Sequence, residues 1–233
     1  MTRARAAAPA TRLGSSDCEH LRDGVLAQPV NALSSAAFVL AGGVVAAWAS
    51  ARPDLRHDLA AGLSVGLVAA GLGSIDYHGP QSRVAAWGHD WGIAIPVVVA
   101  LHADAATLTP TLDPRVGWAA AAVALAGAGA VLAARPATGP AVAAVAATAL
   151  AATEFAVWRT GRRRATTGGR RLLALAAGCT VVGVSAHALT RTGRPGCRPE
   201  SVLQGHAFWH VSSAVAAVCW TIAALPAVQE GRA

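Results

Sequence analysis

Long blocks of apolar residues, separated by short polar connections, are the main pattern along this chain. The apolar residues fill whole blocks rather than the single stripe of a surface helix. Each block has about the 20 residues that a helix needs to cross the hydrocarbon core of a bilayer. The pattern predicts seven membrane-spanning helices, at about residues 29–50, 57–78, 84–105, 115–134, 139–158, 170–190 and 204–227. The predicted fold class is an all-α membrane protein, a seven-transmembrane helix bundle.

The composition supports a membrane protein. Of the 233 residues, 54% are hydrophobic and only 13% are charged, and the mean hydropathy is +0.45. A soluble globular domain is less apolar than this. The connections are short and there is no internal repeat, so residues 17–228 are predicted to form one domain. Residues 1–16 have no signal-peptide pattern and are expected to be a disordered tail, with a second short tail at 229–233.

All nineteen basic residues are arginine, and the net charge is +7. Such a charge could indicate nucleic-acid binding, but the arginines lie between apolar blocks without interleaved aromatic residues or a nucleic-acid motif. Six of them crowd the connection between the fifth and sixth blocks: Arg159, Arg162, Arg163, Arg164, Arg170 and Arg171. The positive-inside rule places that connection in the cytoplasm, with the amino terminus outside and the carboxyl terminus inside. The expected location is a bacterial plasma membrane, because the use of arginine without lysine is typical of a GC-rich genome.

Three histidines are candidate metal ligands. His206 and His210 stand four residues apart and share one face of the last predicted helix. This spacing suits two imidazoles on one metal ion, although it also arises often by chance. His78 ends the second block and offers a third imidazole, and Ser74 lies one turn before it on the same face.

His89 and Asp90 lie about two turns into the third block. An ionisable group at that depth is costly and indicates a functional site. Asp90 is the predicted participant, because a carboxylate can orient an imidazole or accept a proton from water. His89 would then point about 100° away around the helix. His187, at the end of the sixth block, fits a supporting position beside the metal and an interfacial position equally well.

The predicted topology brings these side chains to one side of the membrane. The second block ends outside, and the third and seventh blocks begin there. Three neutral imidazoles and a water molecule make a tetrahedral catalytic zinc site with one open position. The alternative is a set of unrelated interfacial histidines, but the convergence of three separate segments favours the metal site.

Two further features concern the loops. Cys18 and Cys197 would both lie outside, where a disulfide between them is permitted. Asp17 and Glu19 could hold a hard cation such as calcium through their carboxylate oxygens. Acidic loops at membrane surfaces are common, so a solvated loop is the preferred interpretation of these two residues.

The chain resembles the alkaline ceramidase family, part of a superfamily of seven-span hydrolases that includes adiponectin-type receptors and Per1 proteins. The resemblance covers most of the chain and is carried by Cys18-Glu19, Asn31, Ser34, Gly73-Ser74-x-x-x-His78, Asp90, Cys197 and His206-x-x-Trp209-His210. It implies that three histidines bind zinc, namely His78, His206 and His210. It also implies that Ser74 and Asp90 complete the site and that Cys18 and Cys197 form a disulfide.

The chain departs from the family in two places. The eukaryotic members bind calcium through an acidic amino-terminal segment, of which Glu19 matches, Asp17 is displaced, and Gln28 stands at an acidic position. This departure argues against calcium. Asp90 lies about one residue further from the zinc histidine than in the family, a difference that a longer turn would absorb.

The expected function is zinc-dependent hydrolysis of the N-acyl bond of a membrane lipid, ceramide or a similar N-acyl lipid. Zinc-activated water would attack the amide carbonyl, with Asp90 as general base and Ser74 at the developing oxyanion. The first alternative is a seven-span receptor or sensor that holds zinc without turnover. A haem protein would favour single histidines on facing helices, and a transporter would favour more charges along the inner half of the bundle.

Overall fold

The structure is a computed structural model that describes residues 12–163 and 166–225. Within these residues, all regular secondary structure is helical. In chain order the helices are α1 (Pro29–Ser34), α2 (Ala36–Ser50), α3 (His57–His78), α4 (Ala85–Leu108), α5 (Pro114–Ala134), α6 (Gly139–Thr160), α7 (Thr167–Thr190) and α8 (Gly205–Ala224). One short 3-10 helix, Pro136–Thr138, precedes α6. The predicted all-α fold is confirmed.

Seven helical segments are long and apolar enough to cross a membrane. The first consists of α1 and α2 together, and the other six correspond to α3 to α8. Their bounds differ from the predicted ones by less than one helical turn wherever the structure describes both ends. The protein is therefore a multi-pass membrane protein, while the inside and outside assignment stays a prediction.

The first span was predicted as one continuous helix, but it is interrupted at Ser35. The hydroxyls of Ser34 and Ser35 both donate to the carbonyl oxygen of Asn31, at 2.9 and 2.8 Å. A hydroxyl that shares a carbonyl with the backbone ladder bends a helix. We attribute the interruption to this pair of serines.

Small residues line the contact between α3 and α4. A Cβ at Gly73 would collide with the carbonyl oxygen of Gly88, and a Cβ at Gly92 would lie 2.8 Å from the carbonyl oxygen of Ala69. Close backbone approach of this kind is how small residues hold membrane helices together. It brings the end of α3 next to the beginning of α4.

The helices form two packed groups around α3. Helices α2 and α4 pack against α3, α5 and α6 pack against α4, and α7 packs against α8, which in turn packs against α2. Helices α6 and α7 follow each other in sequence but make only marginal contact. Most of their residues are exposed, as expected for surfaces that face lipid.

The two ends of the bundle differ. We call the end at which α3 ends and α8 begins the histidine end, and the end at which α6 ends and α7 begins the arginine end. At the histidine end, the loop before α1 is joined to the loop before α8 by a disulfide between Cys18 and Cys197. Residues 12–16, predicted to belong to a disordered tail, form turns within this loop. Residues 1–11 and the tail at 229–233 lie outside the described residues.

Arg163 inserts into the bundle at the arginine end. Its guanidinium lies 2.6 Å from Asp104 Oδ1 and 2.7 Å from Glu154 Oε2. The side chain of Asp104 is fully buried. The indole N–H of Trp220 donates to Glu154, and the guanidinium lies 5.6 Å from the Trp220 ring. This network joins the connection after α6 to α4, α6 and α8.

We expect Arg163→Met to destabilise the protein by about 3–5 kcal/mol, because it leaves the buried Asp104 carboxylate without its partner. The free energy of unfolding would be measured with denaturant in mixed micelles. Arg162 is the matched control, since it stands next to Arg163 in sequence and is exposed. The double variant Arg163→Met/Asp104→Leu should recover much of the loss. Equal effects of Arg162→Met and Arg163→Met would contradict a role for the buried network.

Candidate metal centre

Three histidines converge at the histidine end. His78 is the last residue of α3, and His206 and His210 lie one turn apart in the first two turns of α8. Their ligand atoms all lie within 4.8 Å of one another, and Nε2 of His78 is 3.1 Å from Nε2 of His206. Between 0% and 8% of each residue is exposed. The predicted convergence of these three histidines is confirmed.

Gln28 determines which nitrogen of His78 carries the proton. The amide nitrogen of Gln28 donates to the carbonyl oxygens of Gly14 and Glu19, at 2.9 and 3.0 Å. The amide oxygen of Gln28 therefore faces His78 Nδ1, at 2.7 Å. Because an amide oxygen only accepts, Nδ1 carries the proton and Nε2 presents a lone pair to the other histidines.

Two serines have the same effect on His210. Its Nδ1 lies 2.9 Å from Ser34 Oγ and 3.2 Å from Ser35 Oγ. Each hydroxyl already donates its proton to the carbonyl oxygen of Asn31. The hydroxyls therefore accept from the Nδ1–H of His210, and Nε2 is left with a lone pair.

His187 and Asp17 lie behind His206. Nδ1 of His206 is 2.8 Å from Nδ1 of His187 and 3.7 Å from Asp17 Oδ1. With its Nε2 turned towards His78, His206 donates from Nδ1, and His187 accepts. The sequence left two positions open for His187, one in support of a metal ligand and one at the membrane interface. The contact with His206 corresponds to the supporting position. Such partners orient a metal-binding imidazole and raise its basicity.

Asp17 is buried next to these imidazoles. Burial raises the pKa of its carboxyl above the ordinary value, and a hydrogen bond from Ser16 offsets this only in part. Asp17, His187 and His206 also form a second group whose ligand atoms lie within 4.8 Å of one another. A positive charge in this region would stabilise the ionised form of Asp17.

The donor set fits a divalent transition metal. The three imidazoles have their Nδ1 atoms engaged in hydrogen bonds, so the three Nε2 lone pairs remain for a shared cation. In a tetrahedral zinc site the ligand nitrogens are about 3.3 Å apart, close to the 3.1 Å between His78 and His206. Imidazole nitrogens suit zinc and its neighbours in the transition series. The cluster is therefore able to hold a metal ion.

Ser74 lies where the sequence predicted it, one turn before His78 on α3. It is almost fully buried, and within the described part of the chain its hydroxyl has no hydrogen-bond partner. A buried hydroxyl without a partner is rare in native structures and calls for a ligand or a water molecule. The serine is thus available to a molecule bound at the metal centre.

Asp90 belongs to neither group of candidate metal ligands in the described residues, and its predicted role in the reaction stays a prediction. Its carboxylate packs against Gly139 at the start of α6, and Oδ1 lies 2.7 Å from His89 Nδ1. The ring of His89 faces the cluster instead, with its centroid 6.0 Å from that of His78. Of these two adjacent residues, His89 is thus the one whose ring contacts His78.

Asp17 and Glu19, the two residues considered as calcium ligands, do not converge. The two carboxylate oxygens of Glu19 accept from the backbone N–H groups of Val30 and Asn31, at 2.7 and 2.8 Å. Glu19 thereby caps the first turn of α1, where a negative charge is favourable. Neither group of candidate metal ligands in the described residues contains Glu19, whereas Asp17 lies beside the imidazoles.

Three supporting residues were missed from the sequence. Gln28 was interpreted only as a departure from an acidic position, Ser35 was not singled out, and His89 was set aside in favour of Asp90. Ser35 alone left a usable signal, because two consecutive serines in an apolar block are unusual. The contact between Gln28 and His78 spans 50 residues and leaves no local pattern.

Comparisons of the chain with protein-family models, with curated proteins and with solved structures give no match. The resemblance to alkaline ceramidases therefore stays a prediction. The argument for function depends on the geometry of the metal centre itself.

We expect the detergent-purified protein to contain about one metal ion per chain, held by three imidazoles. His78→Ala and His210→Ala should each lose it, because two remaining imidazoles make a weak site. His57→Ala is the control, since His57 is exposed and lies at the opposite end of α3 from His78. Metal content would be measured by elemental analysis. Retention of the metal in both cluster variants would contradict the assignment of the ligands.

We expect Gln28→Ala to weaken metal binding by about 10- to 100-fold, because His78 loses the acceptor that orients it. Affinity would be measured by competition with a chromogenic chelator. Gln81→Ala is the matched control, because Gln81 donates to Leu13 and Tyr77 carbonyls in the same region without contacting a histidine. An equal loss in the two variants would show that loop packing alone, and not the bond to His78, supports the metal.

Proposed function

We propose that the protein is a membrane-embedded, zinc-dependent hydrolase that cleaves the N-acyl amide bond of a lipid, ceramide or a similar N-acyl lipid. The observation that carries the proposal is the convergence of three imidazoles, together with the buried, unpartnered hydroxyl of Ser74 one helical turn before His78. The sequence resemblance to alkaline ceramidases, which the same residues carry in part, suggests the same reaction.

His78, His206 and His210 would hold the zinc ion, which supplies an activated water molecule and polarises the substrate carbonyl. Three protein ligands leave a position for water or substrate, whereas structural zinc sites are closed by four protein ligands. This difference favours an enzyme over a receptor or sensor that holds zinc for structure alone.

The remaining side chains divide the chemistry between them. Ser74 donates a hydrogen bond to the carbonyl oxygen as negative charge develops on it. The pair formed by His89 and Asp90 moves the proton from the attacking water to the leaving amine. The amide C–N bond breaks, and a fatty acid and an amine are released.

A lipid is the substrate that suits the position of the cluster. The histidines belong to the ends of membrane-spanning helices, so an acyl chain can lie in the bilayer while its amide reaches the metal. Helices α6 and α7 make only marginal contact with each other, and α7 carries His187 beside the cluster. An acyl chain would enter between these two helices.

We expect the purified protein, in detergent or in liposomes, to release fatty acid from N-acyl lipids such as ceramide, with an equal amount of amine. Chelation should abolish the release and added zinc should restore it. His210→Ala should be inactive, because it removes a zinc ligand, whereas His57→Ala should behave like the wild type.

A wild-type protein that retains its metal but releases no fatty acid from any of the N-acyl lipids tested would favour a receptor or sensor that holds zinc without turnover. Release that survives both chelation and His210→Ala would place the reaction elsewhere in the molecule. Both outcomes are read from the same assay, with metal content measured on the same preparations.

A further inference from the structure

His89 and Asp90 are adjacent on α4 and therefore point about 100° apart around the helix. Only one of them can face the metal centre. The ring of His89 lies 4.4 Å from that of Tyr77 and 6.0 Å from that of His78, measured between centroids. Asp90 points to the other side, where a Cβ at Gly139 would collide with its carboxylate. The imidazole is thus nearer the reacting groups, and the carboxylate stands behind it.

Asp90 determines the tautomer of His89. Its Oδ1 lies 2.7 Å from His89 Nδ1, and an ionised carboxylate only accepts hydrogen bonds. Nδ1 therefore carries the proton, and Nε2 presents a lone pair. Within the described ranges, Nε2 has no hydrogen-bond partner, and 15% of the His89 side chain is exposed. Nε2 is thus available to a water molecule.

The Asp90 carboxylate also contacts a second helix, α6. Asp90 lies against Gly139, the first residue of α6, where the helix dipole favours a negative charge. The contact leaves no room for a side chain at residue 139. Asp90 is thereby confined between α4 and α6, and the imidazole bound to it is confined as well.

From this arrangement we propose that His89 is the catalytic residue that accepts the proton of the attacking water, and that Asp90 is its positioning residue. The proposal rests on the hydrolase function proposed above. As the water oxygen bonds to the carbonyl carbon, one water proton passes to His89 Nε2. As the C–N bond breaks, the same proton passes to the amine nitrogen. Amide and water give acid and amine, and His89 returns to its initial state.

The first test compares kcat and KM for fatty-acid release by His89→Ala, Asp90→Asn and the double variant. His89→Ala should lower kcat by about 10²- to 10⁴-fold, the usual contribution of general acid–base catalysis. Asp90→Asn should lower kcat less, with KM little changed. The double variant should be no slower than His89→Ala alone, because Asp90 acts through His89. Metal content should be unchanged in all three.

Added imidazole provides a second readout in the same assay. It should partly restore turnover to His89→Ala, because a free imidazole can occupy the space left by the side chain, and it should not restore Asp90→Asn. Asp23→Asn is the matched control, as Asp23 is a fully exposed carboxylate in the loop before α1. A larger loss in Asp90→Asn than in His89→Ala, or additive losses in the double variant, would overturn the proposal and return the proton transfer to Asp90.

A spectroscopic test separates this proposal from the proposed function. In the ¹⁵N-histidine spectrum, assigned by comparison with His89→Gln, the wild-type His89 should be protonated at Nδ1 and unprotonated at Nε2. Asp90→Asn should shift these two signals while the other histidines keep theirs. Protonation at Nε2 in the wild type would overturn the arrangement even in an active enzyme. The expected spectrum in a protein without amidase activity would support the positioning of His89 by Asp90, and it would overturn the catalytic role of His89 together with the proposed hydrolase.

Discussion

The rest of this structure depends on the hydrogen bonds that three histidines, His78, His206 and His210, make through their Nδ1 atoms. Gln28 accepts from His78, His187 accepts from His206, and the serines of the first span accept from His210. Each bond leaves a lone pair directed at the same small volume. Three lone pairs at this distance repel one another in a low-dielectric interior, so a shared cation stabilises them. The acceptors therefore matter as much as the ligands.

Much of the fold serves to bring these acceptors into place. Gln28 sits in the loop before α1, which the disulfide attaches to the loop before α8. Glu19 of the same loop caps α1, and the interruption at Ser35 turns two hydroxyls towards α8. The glycines between α3 and α4 set His78 beside His89. Separate stretches of the chain are thus required for one cluster.

The spans and the pair of histidines on α8 could be predicted from the sequence, because both leave local patterns. A span is a contiguous apolar block, and His206 and His210 share a face by spacing alone. The side chain that faces His78 from α4 was not predictable in the same way. One residue more or less in a turn rotates the following helix face by about 100°, and this exchanges Asp90 for His89. Arg163 was interpreted only as a signal of topology, since nothing in an arginine-rich connection distinguishes the residue that turns inward.

The attachment of α6 at both of its ends has a consequence for how the proposed enzyme would meet its substrate. Asp90 packs against the start of α6, and Arg163 binds Glu154 near its end, while the side of α6 next to α7 is barely packed. An acyl chain that enters between α6 and α7, as proposed above, would do so from the bilayer. A lipid would reach this entrance by lateral diffusion, with its chain already in the membrane. The rate of such an enzyme follows the mole fraction of substrate in the bilayer, and diluting the membrane with inert lipid slows it even when the bulk substrate concentration is constant.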